Sequence, residues 1–93
     1  MPYPSIVLDS SGQVKSGPGE VLAVTIVADY DDTDAIIALV SIYDGTDNSG
    51  TKILELSAFN GNSSHAFYPG GIVFSIGCYA DISTGAVVTV EYC

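Results

Sequence analysis

Six of the eight aspartates in this chain fall between positions 29 and 47: Asp29, Asp31, Asp32, Asp34, Asp44 and Asp47. A hard cation such as calcium takes about six to eight oxygens from a flexible loop. Asp29-Tyr30-Asp31-Asp32-Thr33-Asp34 and Asp44-Gly45-Thr46-Asp47-Asn48-Ser49-Gly50 could supply them. The stretch is not an EF-hand loop, because Asp34 stands where that loop needs its glycine and Val40 where it needs its glutamate. Asp and Asn are also the residues of Asx turns, where the side chain bonds the local backbone. Solvated turns are the expectation, with calcium as the alternative, and no metal ligand is assigned.

His65 is the only histidine, in Ser63-Ser64-His65-Ala66-Phe67. A triad needs a nucleophile and an orienting acid beside it, and no Gly-x-Ser-x-Gly sequence is present. One histidine with two distant cysteines is no zinc signature either. The expected role of His65 is a surface strand residue, and no catalytic or cofactor-binding residue is assigned. Tyr3, Tyr30, Tyr43, Tyr68, Tyr79 and Tyr92 could stack on sugars, but without tryptophan they read as half-buried strand tyrosines. Gly17-Pro18-Gly19 and Gly70-Gly71 read as turns; no helix follows them, so they cradle no phosphate.

What must position these groups is small. The chain has 93 residues, 47% of them hydrophobic, room for one domain over residues 1–93. Two basic residues stand against eleven acidic ones, a formal charge of −9. Such a chain cannot neutralise a run of phosphates, so nucleic acid and anionic membrane surfaces are excluded as partners. The start, Met1-Pro2-Tyr3-Pro4-Ser5, lacks a basic leader region, and the apolar stretch Ala35–Tyr43 is about half the length a bilayer helix needs. The expected location is the compartment of synthesis, and there Cys78 and Cys93 are thiols.

Short β-rich runs broken by turn clusters predict an all-β protein. The runs are Ser5–Asp9, Gln13–Lys15, Glu20–Asp29, Ala35–Asp44, Thr51–Ala58, Ser63–Pro69, Ile72–Tyr79 and Ala86–Tyr92. Residues 1–11 form an extended N-terminal arm in this reading. Thr33 or Asp34 could cap a helix, but β-branched Ile36, Ile37, Val40 and Ile42 favour a strand. Pro69 places its strand at a sheet edge. The last two runs are predicted to form a hairpin across Ala80–Gly85. That register puts the sulfurs of Cys78 and Cys93 roughly 20 Å apart, with Cys78 in the core and Cys93 at a frayed end. The fold class is a single antiparallel β-sandwich of seven or eight strands, jelly-roll-like or Ig-like. Glu20–Asp29, Ala35–Asp44 and Ile72–Tyr79 are apolar on both faces, more than a domain this size can hide, so a second copy or another protein is expected to cover one face.

Four stretches carry a resemblance. They are Ser16-Gly17-Pro18-Gly19-Glu20-Val21-Leu22, Val40 through Asp44-Gly45-Thr46-Asp47 to Ile53, Pro69-Gly70-Gly71-Ile72-Val73-Phe74-Ser75-Ile76-Gly77, and Val87-Val88-Thr89-Val90-Glu91-Tyr92. In this order, over about residues 12–92, the chain resembles the small β-sandwich virion proteins of tailed bacteriophages. The stretch Asp29–Asp34 and the two cysteines fall outside that pattern. The resemblance implies a non-enzymatic capsid decoration or accessory protein, often a homotrimer, made in the host cytoplasm and then held in the virion. Its partners would be the major capsid protein or another virion protein. The alternative is a calcium- or glycan-binding β module of a viral fibre or tail.

Overall fold

A computed structural model describes residues 4–28, 37–59, 61–83 and 86–93. The described chain is all-β. Its strands are β1 (Ser5–Leu8), β2 (Gly12–Ser16), β3 (Gly19–Ala28), β4 (Ile37–Asp44), β5 (Thr51–Phe59), β6 (Ser63–Phe74), β7 (Gly77–Ile82) and β8 (Ala86–Tyr92). They form two four-stranded antiparallel sheets, β1-β8-β3-β6 and β2-β7-β4-β5. This order is the double Greek key of a jelly roll rather than an Ig-like layout. Of the consecutive strands, β4 and β5 alone pair as a hairpin; the other connections pass from one sheet to the other.

Period-2 alternation builds the core. Val24 and Ile26 of β3, and Val88 and Val90 of β8, point inward from the first sheet. Val40 and Ile42 of β4, and Cys78 and Ala80 of β7, meet them from the second. All eight are fully excluded from solvent, as is Phe74 at the end of β6. Fully burying a Val, Ile or Phe side chain contributes about 1.5–3 kcal/mol. Ile6 and Leu8 of β1 pack on the same core, so within the stretch read as an arm, Ser5–Leu8 is a sheet strand. Its first residue, Ser5, faces Glu91 near the end of β8.

Two boundaries differ from the sequence reading. The run Ile72–Tyr79 is not one strand: β6 continues through Pro69-Gly70-Gly71 to Phe74, and the chain reverses at Ser75-Ile76. Gly70 and Gly71, at φ 86° and 75°, shape a bulge, not a reversal. On its two sides β6 stays paired to β3, Phe67 with Ala23 and Ile72 with Val21. Pro69 sits in this bulge on an edge strand, as its missing N–H requires. Second, β7 and β8 form no hairpin: β7 pairs with β2 and β4, and β8 with β1 and β3. The two strands lie in different sheets, and their buried side chains face the same core from opposite sides. β4 is a strand, as its β-branched residues predict, over Ile37–Asp44.

Candidate functional site

The acidic stretch divides. Asp29, Asp31, Asp32 and Asp34 lie outside the described residues. Asp44 is engaged by the backbone: its carboxylate accepts the N–H groups of Ser75 (3.0 Å), Ile76 (2.8 Å) and Gly77 (3.3 Å) and the Ser75 hydroxyl (3.1 Å). Those bonds, the one from the Ser75 N–H foremost, hold its carboxyl below the usual range. Asp47 accepts the hydroxyl and the N–H of Ser49, an Asx turn, and the Ser49 hydroxyl likewise lowers its carboxyl. Both aspartates fasten turns. Among the described residues, no three His, Cys, Asp or Glu side chains are grouped to hold a metal ion.

His65 stands exposed on β6 with its Nδ1 2.7 Å from the Thr25 hydroxyl on β3. Among the described residues, no carboxylate is bonded to its ring as the orienting acid of a triad would be. The cysteines are both free. Cys78 is a core residue, and burial with the nearby Asp44 charge pushes its thiol up to about 12. Cys93 is exposed but not frayed: it exchanges two backbone hydrogen bonds of 3.0 Å with Glu20. Cys78 belongs to the second sheet and Cys93 follows the last strand of the first, so no hairpin register relates them.

Tyr68 and Tyr92 pack on the core, whereas Tyr43 and Tyr79 are register neighbours on the outer face of the second sheet. Both are half-buried, and the Lys52 ammonium lies 5.9 Å from the Tyr43 ring centre. Tyr3 and Tyr30 lie outside the described residues. Among the described residues, an open depression of about 180 Å³ is lined by Ile37, Ser57, Phe59, Ser63 and Ser64 among others. A drug-sized ligand needs about 300–1,000 Å³.

The feature that stands out is apolar side chains facing outward. On the first sheet the outer face reads in rows across the strands: Val87–Val27–Ser63, then Val7–Thr89–Thr25–His65, then Glu91–Ala23–Phe67. Val7 and Phe67 are 64% and 65% exposed, and Val27 and Val87 are also open. On the second sheet Ile37 faces Phe59 across β4 and β5, both exposed, with Leu39 beside them. Val73 and Ile76 add a third open pair at the β6–β7 turn. β3 and β4 were expected to be apolar on both faces, and the structure divides that excess. Ala23 and Ser41 are covered by their own neighbours, while Val27, Ile37 and Leu39 are not. Phe67 was not singled out from sequence, although the alternation of Ser63, His65 and Phe67 puts the three on one face.

No family model matches the chain, and no curated protein matches it.

Proposed function

We propose that the chain is a non-enzymatic structural subunit of a phage virion, a decoration or accessory protein that docks on the head shell as a homo-oligomer, a trimer by the resemblance noted above. One observation carries this reading: the outer faces of a small sandwich leave Val7, Val27, Val87 and Phe67, and Ile37 with Phe59, open to solvent. Large exposed apolar patches on small domains mark protein contact surfaces. The jelly-roll topology agrees by analogy only, since viral capsid proteins use it and so do lectins and cupins. The mechanism is stoichiometric binding. One apolar face packs on sister subunits and another on the shell, each covering about 800 Å² per partner. The acidic surface, at net −9, stays in water and keeps the particle soluble.

The test is cosedimentation with purified head shells that lack the protein, together with light scattering of the free chain. The reading expects saturable binding at a fixed ratio and a discrete oligomer. A monomer at high concentration that leaves the shells bare would overturn it.

A further inference from the structure

Each sheet has two edges, and three of the four are blunted. β1 has only four residues; β2 has five, with a register shift at Val14 and a lysine at position 15. β5 is bulged at Ile53 and carries the Lys52–Glu55 ion pair. Short strands, bulges and charges are the usual protection of an exposed edge. β6 is interrupted by its own bulge at Pro69–Gly71, but over Ser63–Phe67 it is in unbroken register with β3 and carries no Lys, Arg, Asp, Glu or Pro.

Hydrogen-bond parity shows which groups that edge presents. The Ala28 N–H donates to the Asn62 carbonyl at 2.9 Å, so the next inward-bonded pairs are Ile26 with Ser64 and Val24 with Ala66. Ser63, His65 and Phe67 therefore form the other kind of pair with β3, in which side chains come closer. The 2.7 Å contact between His65 and Thr25 fits that geometry. The backbone N–H and C=O groups of Ser63, His65 and Phe67 point away from β3. No described strand pairs with them there.

We infer that this edge pairs antiparallel with the same edge of a second copy of the chain, about a two-fold axis at His65. The edge is self-complementary in that register and no other symmetric one matches sizes as well. His65 faces His65 of the second copy, and the bulky, 65% exposed Phe67 faces the small Ser63, twice. Beyond that serine lies Val27, 46% exposed, within reach of the phenylalanine ring. Charge at the edge itself does not oppose this occupant. A chain at −9 repels its copies except across a surface free of carboxylates, and Ser63–Phe67 contains none. The join is about 17 Å long at about 3.4 Å per residue. That is small beside a standard interface, so pairing depends on concentration. The contact is two-fold, distinct from the trimer of the proposed function, and does not require a head shell.

The test uses cross-linking in a Cys93→Ser background. Residues opposite each other in a hydrogen-bonded antiparallel pair have Cα atoms about 5.5 Å apart, within disulfide range. His65→Cys is expected to give an oxidised dimer, as is an equimolar mixture of Ser63→Cys and Phe67→Cys. Each of those two alone should lag, as should Val73→Cys, an equally exposed position on β6 beyond the bulge. His65→Lys, with an unchanged circular dichroism spectrum, should abolish the two-fold pairing step in sedimentation equilibrium and leave any trimer in place. Cross-linking of His65→Cys no faster than Val73→Cys overturns the inference. So does two-fold pairing that survives in His65→Lys, or an edge that captures a different virion protein while the free chain forms no two-fold pair.

Discussion

Asp44 takes both donors of Ser75, the N–H at 3.0 Å and the hydroxyl at 3.1 Å, across 31 positions of sequence. One carboxylate at the end of β4 thus shapes the reversal that separates β6 from β7. Asp44→Ala should lower the Tm by several degrees and speed amide exchange at Ser75, Ile76 and Gly77. Asp44→Asn, which keeps an acceptor but loses the charge, should fall between the two. Unchanged exchange at those amides in Asp44→Ala would show that the turn holds without it.

Acid should act through the same group. The carboxyls of Asp44 and Asp47 are held below their ordinary range in the folded chain. The unfolded chain therefore takes up protons first as pH falls. The stabilisation is complete above the unfolded value of about 3.9 and is lost as pH drops through the lower folded values. Urea midpoints measured between neutral pH and pH 3 should decline, and decline less in Asp44→Asn. Equal slopes would remove Asp44 from the account.

At the alkaline end the relevant group is Cys78, whose thiol is raised to about 12 by burial and the Asp44 charge. A raised value means the stabilisation is complete below the unfolded thiol's ordinary range and is lost as pH climbs toward 12. The loss should run at about 1.4 kcal/mol per pH unit inside that window. A thiol reagent at pH 8 should find only Cys93 in the native protein and both cysteines in denaturant. Two fast thiols in the native protein would contradict the burial of Cys78.

Gly70 and Gly71 should respond differently to alanine. Both have positive φ, at 86° and 75°, a conformation that costs an alanine about 1 kcal/mol. A Cβ on Gly70 would meet nothing within 4 Å, whereas one on Gly71 would lie 2.7 Å from the Glu20 Oε2 and 3.0 Å from its Cβ. Gly71→Ala should therefore be the more destabilising in urea unfolding. Adding Glu20→Ala should recover part of the difference.

The end of β6 gives a sharper contrast between neighbours. Phe74 is wholly buried and Val73 is 66% exposed. Phe74→Ala should cost about 3–5 kcal/mol in urea unfolding, and Val73→Ala should stay within about 0.5 kcal/mol. A small effect at Phe74 would mean that the core collapses around the deletion.

Much of this fold is legible in the residues. β-branched alternation marks β3, β4, β5 and β8 to within a residue or two of their observed ends, and Pro69 marks the edge strand. The reversal after β6 was not legible. Gly70-Gly71 has the composition of a turn, but β3 pairs with β6 on both sides of it. The true turn, Ser75-Ile76, depends on Asp44, a partner no local pattern can supply. The β7–β8 hairpin failed for the same reason, since neighbours in sequence here belong to different sheets. The excess of apolar residues was readable, but its location was not. Which of Ala23, Val27, Leu39 and Ser41 stays open depends on which strands flank them.

The pairing of Ser5 with Glu91, with the Tyr92 N–H donating to the Pro4 carbonyl at 3.0 Å, makes the described chain nearly a closed ring. A linker of a few residues between the two ends would leave every strand in place, and the chain could be reopened at the Gly45–Gly50 turn without crossing a sheet. Circular permutation there would move both attachment points across the same end of the sandwich, from beside β1 and β8 to beside β4 and β5. In the present order, Pro4 and Cys93 share one corner, so a peptide inserted directly before Pro4 would crowd one attached at Cys93.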